Sequence, residues 1–382
     1  MNDSKPRGWT SEDARRDTSW IQRLSADEVS GFDAALAHAK AAGKPCLAMT
    51  AADFPLDQAA RDALQRAFAT TQGRWGMCLL KGLPVDRWSE EDSKLAYWGM
   101  GLHSGVARTQ NPASQYMNDV RDEGAAYKAA NGRSRGYNTK AGLDFHMDSS
   151  DVVALLCRRT AKVGGESLVA STIAAAEELG RRRPDLLEVL KQPFYHHYQG
   201  SQDPLQPPYY ACPIIGSDPE HFAMRVNRKN IVAAQRDFPE LPRVTPEQWE
   251  AIDLLEEIMA DPRWCFRMQL EQGDMQLVNN YAIVHSRTPF EDFDEPDRKR
   301  HLLRLWLAVP GSQPLPADWA EYFIDTRPGS VRGGLRGSRS SAEFAAYEKR
   351  QAAALGMAYR PWAPVKRRQD APVSAAAQVQ AA

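Results

Sequence analysis

The chain has 382 residues, of which 43% are hydrophobic and 25% are charged, as in ordinary globular proteins. Its formal net charge of −1 gives no electrostatic reason to expect binding to nucleic acid or to a membrane surface. Five scattered cysteines without a Cys-x-x-Cys pair argue against a disulfide framework and a zinc finger, and favour a reducing compartment. The N-terminus is polar and no apolar run approaches the length of a membrane span, so we expect a cytoplasmic protein.

The predicted elements follow a charged, aperiodic stretch, residues 1–18, which we expect to be a flexible arm. Capping residues and apolar periodicity predict helices from Ser25 to about Lys40, over 57–71, from Ser89, from Thr172 to about Arg182, and from Thr245 to about Met259. Apolar runs predict strands over Val152–Cys157, Trp264–Leu270, Met275–Val278 and His301–Val309. Residues 365–382 are expected to form a disordered tail, which leaves a single domain over 19–364 with its core at about 60–310.

The order of these elements bears on the fold class. Strands and helices do not alternate regularly, and no glycine-rich phosphate loop follows a strand, which counts against Rossmann and P-loop folds. Strand-rich halves with helices at the flanks favour an α+β protein with a β-sandwich or jelly-roll core.

A histidine and a carboxylate lie two positions apart at the mouth of a predicted strand. On an extended chain, His146 and Asp148 project to the same side. The buried strand Val152–Cys157 follows directly, and a buried charge without a partner is very costly. A metal ion would be such a partner. The alternative is that His146 is an ordinary hydrogen-bonded histidine.

A second histidine and a group of arginines complete the pattern. His285 follows His146 by 139 positions, and Arg298, Arg300 and Arg304 come shortly after it. Two imidazoles and one carboxylate are a sufficient ligand set for non-haem Fe(II), with positions left open for a co-substrate and O₂. The arginines would suit a dicarboxylic co-substrate; the alternative is that they form surface ion pairs with the acidic residues of 291–297.

Two further segments are candidates for a role in binding. The aromatic stretch Phe194–Tyr198, together with Tyr209 and Tyr210, would wall a substrate pocket or hold a cation over its rings, although simple packing is the preferred interpretation. Within it, His196 and His197 would face opposite ways on a strand and so make a poor chelating pair. The glycine- and arginine-rich segment 327–339 is expected to be a mobile loop, which would close over an anionic ligand or, as the preferred interpretation, serve as an ordinary flexible connector.

These motifs, in this order, resemble the TauD/TfdA family of Fe(II)- and 2-oxoglutarate-dependent oxygenases, over roughly residues 60 to 310. The matching pieces are His146-Met147-Asp148, Gly164-Gly165-Glu166-Ser167, Asn279-Asn280, His285-Ser286-Arg287-Thr288-Pro289-Phe290, Arg300-His301-Leu302-Leu303-Arg304 and, upstream, the segment 75–84. The resemblance implies a double-stranded β-helix, that is, a jelly-roll or cupin-like core, with flanking helices and a helical insertion.

The resemblance also implies roles for individual residues. His146, Asp148 and His285 would be the metal ligands for Fe(II). Arg300 would pair with the distal carboxylate of 2-oxoglutarate, and Ser167 would lie beside that carboxylate. Arg304 falls where some members hold an anionic group of the substrate, and the two arginines can exchange roles between members. Some relatives have Gly or Ala in place of the acidic ligand and are halogenases, so the presence of Asp148 favours a hydroxylase or a desaturase.

The expected function is therefore oxidation of a C–H bond in a small anionic or zwitterionic molecule, with O₂ consumed and succinate and CO₂ released. Arg304, Arg133 and Arg135 favour an anionic group, whereas the tyrosines would allow an amine. The alternatives are a zinc-dependent hydrolase on the same three ligands and a metal-binding relative without turnover. A small-molecule substrate and O₂ are the expected partners; nucleic acid and membranes are not, and a homo-oligomer is left open.

Overall fold

The structure, a computed structural model, describes residues 5–124, 136–218, 220–337 and 342–361. The helices are α1 Ser11–Arg16, α2 Ala26–Ala42, α3 Gln58–Gln72, α4 Glu90–Ser104, α5 Thr172–Arg182, α6 Pro184–Val189, α7 Arg228–Asp237, α8 Pro246–Ala260, α9 Ala320–Phe323 and α10 Ala342–Ala354. The strands are β1 Ile21–Arg23, β2 Met77–Lys81, β3 Val106–Ala107, β4 Met117–Val120, β5 Leu143–His146, β6 Val152–Arg159, β7 Val163–Gly164, β8 Ser167–Ser171, β9 Pro193–His197, β10 Tyr209–Pro213, β11 Cys265–Met268, β12 Met275–Asn279, β13 Ile283–Arg287, β14 Phe290–Glu291 and β15 His301–Ala308.

The helices predicted from capping residues are confirmed. Ser25, Ser89 and Thr245 each accept a hydrogen bond from the backbone N–H three positions on, and the side chain at that position bonds back to the cap, so each forms a capping box. Such caps satisfy N–H groups that the first helical turn leaves without partners. The sequence signal is local, which is why the helix starts could be predicted accurately.

The N-terminal stretch differs from the expected arm. Over its described part, α1 is opened by a capping box between Thr10 and Asp13. Trp9 is only 2% exposed, and its indole N–H donates to the carbonyl of Trp75 at 3.0 Å. Burial of a large aromatic ring outweighs the charged composition of the segment. The prediction of a flexible arm is therefore wrong for residues 5–18.

Two sheets hold the centre of the molecule. The larger has seven strands, in the order β1-β2-β12-β6-β15-β3 with β4 also paired to β15, and the smaller has the order β11-β8-β13-β5. One cluster of buried residues takes members from both sheets, including Val153 and Trp306 from the larger and Val169 and Ile283 from the smaller. The apolar faces of the two sheets thus share a core.

Helices cover the outer faces of this core. One cluster packs α2, α3, α4 and α10 with residues of the larger sheet, among them Leu156, Leu277 and Leu305. Another packs α5, α6, α7 and α8 with Ala170 and Val284 of the smaller sheet. Within the described ranges, no helix is both long and apolar enough to cross a membrane.

The glycine- and arginine-rich segment is packed rather than mobile through its described end at residue 337. Arg332 is fully buried, and its Nε lies 2.7 Å from Oδ1 of Asp151. Tyr281 donates its hydroxyl to the same carboxylate at 2.7 Å, and the backbone N–H of Val309 donates to the other oxygen at 3.0 Å. A buried and fully bonded ion pair fixes this segment against the strands, so the expectation of a mobile loop is wrong there.

Candidate metal centre

The two candidate histidines come from neighbouring strands. β5 pairs antiparallel with β13, and His146 lies directly opposite His285 in that pairing. Their ring centroids are 4.5 Å apart. Asp148 follows two positions after His146, just beyond the end of β5, so its side chain turns to the same side. Strand register and the two-residue spacing therefore bring three distant side chains together.

The donor atoms of these residues converge on one point. Nε2 of His146 lies 3.9 Å from Oδ1 of Asp148, and Nε2 of His285 lies 3.7 Å from Oδ2. Each of the three side chains offers an atom within 4.8 Å of the other two, and none of these contacts is a hydrogen bond of normal length. Two imidazoles and a carboxylate at this spacing fit a divalent transition metal with open positions, as Fe(II) needs.

The electrostatics favour the metal-binding protonation states. Burial, followed by the neighbouring His285, lowers the pKa of His146 to about 4, so its imidazole is neutral. Burial opposes ionisation of Asp148, but Arg304 and the two histidines outweigh it and hold the pKa of that carboxyl well below its usual range. Nδ1 of His146 donates to the carbonyl of Asp144 at 2.9 Å, which leaves Nε2 as the ligand atom.

Residues outside the triad hold Asp148 in place. The indole N–H of Trp306 donates to Oδ2 at 2.8 Å, and Nη1 of Arg304 lies 3.4 Å from the same oxygen. The backbone N–H of Asp148 donates to Oδ1 of Asn280 at 3.3 Å. Sequence analysis missed the role of Trp306. Its only signal was a position in the strand of Arg304, two residues on and therefore on the same face.

Replacing Trp306 with phenylalanine should weaken metal binding while preserving the buried ring. Loss of the indole N–H removes one bond that orients Asp148, and we expect the Kd for Fe(II) to rise about 10–100-fold in an anaerobic titration. Trp319→Phe is the matched control, because its buried indole N–H has no partner among the described residues. Equal losses in both variants would contradict a specific role for Trp306.

A small cavity next to the triad holds the second group of predicted residues. It is lined by His146 and His285 and by Ser167, Arg300 and Arg304. Arg300 is 5% exposed, and within the described part of the chain no carboxylate pairs with its guanidinium and Nη1 has no hydrogen-bond partner. Burial lowers its pKa to about 10, so it remains a cation at neutral pH. The arrangement fits a site for an anion beside the metal.

Ser167 and Arg304 are more fully engaged than Arg300. The hydroxyl of Ser167 donates to Oε1 of Gln276 at 2.7 Å. Arg304, besides its contact with Asp148, donates from Nε to Oε1 of Gln110 at 2.7 Å and lies over the Tyr137 ring. Gln110 was not a candidate from sequence, where a single glutamine carries no signal. Arg298, by contrast, is exposed and bound to Glu295.

A larger cavity, with a volume of about 140 Å³, also borders the triad. His146, Asp148 and Arg304 contribute to its wall, together with Tyr198, Tyr210, Tyr322 and Arg225. His196 is buried and stacked on Tyr210, whereas His197 lines the cavity, so they do not chelate together. Arg133 and Arg135 lie outside the described residues.

A second group of potential ligands has a different character. Glu90, Asp119 and His301 lie close enough to hold a metal. However, Nζ of Lys94 lies 2.8 Å from Glu90 and 3.0 Å from Asp119, and Nη1 of Arg158 lies 3.0 Å from Nδ1 of His301. Because two cations already balance the carboxylates, this group is a network of ion pairs.

The fold and the site together define a class: a mixed helix-and-sheet protein in which two histidines and one carboxylate, a group that could hold a metal ion, converge beside two cavities. The family model of taurine catabolism dioxygenase TauD, TfdA family, matches residues 40–306. FR-33289 synthase of Streptomyces rubellomurinus is 32% identical over 275 residues, 70% of this chain and 79% of that protein. Uridine-5'-phosphate dioxygenase of an Amycolatopsis species is 26% identical, and the match covers 57% of this chain and 80% of the length of that protein.

Solved structures agree at the level of the fold. The non-haem iron oxygenase OrfP, in complex with Fe and alpha-ketoglutaric acid, superposes with a TM-score of 0.54 at 17% identity, over 75% of this chain and 94% of its own. Asparagine oxygenase, in complex with Fe(II), 3-hydroxyasparagine and succinate, gives 0.55 at 18% identity, over 76% and 93%. The chain belongs to the TauD/TfdA family of Fe(II)- and 2-oxoglutarate-dependent dioxygenases.

Proposed function

We propose that this dioxygenase hydroxylates or desaturates an unactivated C–H bond of a small anionic or zwitterionic molecule, with His146, Asp148 and His285 as the iron ligands. The observation that carries the proposal is the convergence of these three side chains beside buried Arg300, whose guanidinium has no carboxylate partner among the residues that the structure describes. We also propose that the two sheets form a jelly roll within a single domain over 19–364, to which the packed segment around Trp9 and Ala14 also belongs.

The smaller cavity would take 2-oxoglutarate. Arg300 would bind its distal carboxylate by charge-assisted hydrogen bonds, and the hydroxyl of Ser167 would lie beside it. A carboxylate there would neutralise a guanidinium that is otherwise buried at a cost. Arg304 is already bonded to Asp148 and Gln110, which favours a role in holding the metal centre over a role in binding 2-oxoglutarate.

The larger cavity would take the substrate. When bound, iron and 2-oxoglutarate supply the activation of O₂, with decarboxylation to succinate and CO₂. The protein side chains position the substrate C–H toward the open side of the triad and keep water away. The relative named for uridine 5'-phosphate supports an anionic substrate, and the neighbours that bind arginine and asparagine derivatives support a zwitterionic one.

A zinc-dependent hydrolase would use the same three ligands with a bound water as nucleophile. A hydrolase of this kind gives no role to buried Arg300 in the adjoining cavity, whose guanidinium has no carboxylate partner in the described part of the chain. A metal-binding protein without turnover would likewise leave the anion site at Arg300 unexplained. The cavity beside the triad therefore favours the oxygenase.

An anaerobic titration of the metal-free protein tests the proposal. Fe(II) and 2-oxoglutarate together should produce a visible charge-transfer band, and omission of either should abolish it. On admission of O₂, succinate should form. Tight binding of zinc with no band from Fe(II) and 2-oxoglutarate would overturn the oxygenase and support the hydrolase.

A further inference from the structure

Arg225 lies in the wall of the larger cavity, which is the proposed substrate site. None of the sequence motifs assigned a function to this residue. Its backbone N–H donates to the carbonyl of Ile214 at 2.7 Å. The next residue, Val226, accepts a hydrogen bond from the backbone N–H of Met147 at 3.1 Å. Because Met147 lies between two metal ligands, these bonds fix the backbone of Arg225 beside the metal centre. Its side chain lines the same cavity as His146 and Asp148.

The guanidinium of Arg225 is buried, and no described residue supplies an anion to it. The residue is 2% exposed, and Nε and Nη1 have no hydrogen-bond partner among the described residues. No carboxylate in that part of the chain lies within ion-pair distance of it. A buried charge without a partner strongly destabilises the folded protein. A bound anion would neutralise the guanidinium and remove that destabilisation.

The other arginines of this wall differ from Arg225. Arg228 has Nη1 2.9 Å from Glu256 and also contacts Asp253. Arg304 is bound to Asp148 and to Gln110. Arg225 is therefore the arginine of the described wall whose charge is left for a ligand.

The tyrosines of the cavity hold the arginine rather than a ligand cation. The Arg225 guanidinium carbon lies 3.9 Å from the centroid of the Tyr322 ring and 5.3 Å from that of Tyr210. Tyr198 packs on both rings, with centroids 4.5 Å from Tyr210 and 5.9 Å from Tyr322. The cation–π positions are thus occupied, and a substrate ammonium group there would be repelled by the guanidinium.

We infer that Arg225, held by Tyr210 and Tyr322, binds an oxyanion of the substrate, so that this cavity selects small molecules that carry a carboxylate, sulfonate, phosphate or phosphonate group. Either of its two partnerless nitrogens, Nε or Nη1, can donate a charge-assisted hydrogen bond to such a group. The inference rests on the proposed function. It assigns the anionic group of the substrate to Arg225, whereas the family resemblance assigned that group to Arg304. It also separates that anion from the carboxylate of 2-oxoglutarate on Arg300.

The test uses the full chain with Fe(II) and saturating 2-oxoglutarate under nitrogen. Acetate, methanesulfonate, methylphosphonate and methylammonium are titrated separately by ligand-observed NMR, and the charge-transfer band is recorded in the same samples. At least one oxyanion should bind saturably without loss of the band, and methylammonium should not bind. Arg225→Gln should weaken oxyanion binding at least about tenfold, because hydrogen bonds to a charged group are lost.

Two further variants make the result decisive. Arg228→Gln, in the same wall but with its own acidic partners, should bind the oxyanion like the wild type. Arg225→Lys keeps the charge and should show a smaller loss; it decides the question if Arg225→Gln does not fold. Wild-type protein that binds no oxyanion, or Arg225 variants that bind it as the wild type does, would overturn the inference. Arg225-dependent binding without a charge-transfer band would leave the anion site standing and overturn only the oxygenase.

Discussion

Replacing His285 with alanine should lower the rate of succinate formation from 2-oxoglutarate at least about 10³-fold, because a bound metal contributes several kcal/mol to such reactions. In the proposed site His285 would supply one of three donors, and its Nε2 lies 3.7 Å from Asp148. With the imidazole gone, two ligands cannot hold the ion in the same geometry. The charge-transfer band should disappear in the same variant.

His221→Ala is the control for this experiment. His221 contacts Asp218 within its own loop and lines neither of the two cavities around the triad. It should keep both the band and the rate, since it removes an imidazole without touching the centre. A His285→Ala protein that is folded and retains both would contradict the assignment of the metal ligands.

Part of the convergence of the three side chains could be predicted from the sequence, because the signals for His146 and Asp148 are short in range. His146 and Asp148 are related by the two-residue period of a strand, and the apolar run over Val152–Cys157 marks burial next to them. His285 was found through its own strand-like context and through the family resemblance. The direct pairing of His146 with His285 is a matter of strand register, which the sequence does not specify.

The residues that support the site could not be predicted in the same way. Trp306 and Gln110 act on Asp148 and Arg304 through contacts that join distant parts of the chain. A single buried polar side chain has no periodic signature, so only the folded arrangement shows which groups meet. Arg225 was missed for the same reason: its burial and its tyrosine neighbours depend on segments more than ten residues away on both sides.

Both predictions of flexibility had the same weakness. Charge content favoured a flexible arm at 1–18, and glycine and arginine content favoured a mobile loop at 327–339. In the described part of each segment, however, a buried side chain fixes the backbone in place. Trp9 anchors the first, and the ion pair of Arg332 with Asp151 anchors the second. Composition averages over a segment, whereas one large ring or one buried pair is enough to order it. The Thr10–Asp13 capping box was a local signal of the first helix.

Arg300→Gln should raise the Kd for 2-oxoglutarate roughly 30-fold to a few thousand-fold, because removal of one partner from a buried charged pair costs about 2–5 kcal/mol. Binding is measured from the charge-transfer band as 2-oxoglutarate is added to the protein with Fe(II) under nitrogen. Fe(II) affinity in the absence of 2-oxoglutarate should be unchanged, since Arg300 does not contact the triad. Arg298→Gln, whose guanidinium is exposed and bound to Glu295, should behave like the wild type.

Arg304→Gln separates the two roles that the family allows for this pair of arginines. Arg304 lies 3.4 Å from Oδ2 of Asp148, so its loss should weaken Fe(II) binding while the Kd for 2-oxoglutarate changes little once iron is saturating. Arg300 lines the small cavity, and within the described ranges it has no such bond and its Nη1 has no hydrogen-bond partner. A large rise in the Kd for 2-oxoglutarate in Arg304→Gln, without one in Arg300→Gln, would mean that the arginines have exchanged roles. Arg304 already bonds to Asp148 and Gln110, and we therefore expect Arg300 to bind 2-oxoglutarate. The existing bonds of each guanidinium, rather than its position in the motif, should determine this choice.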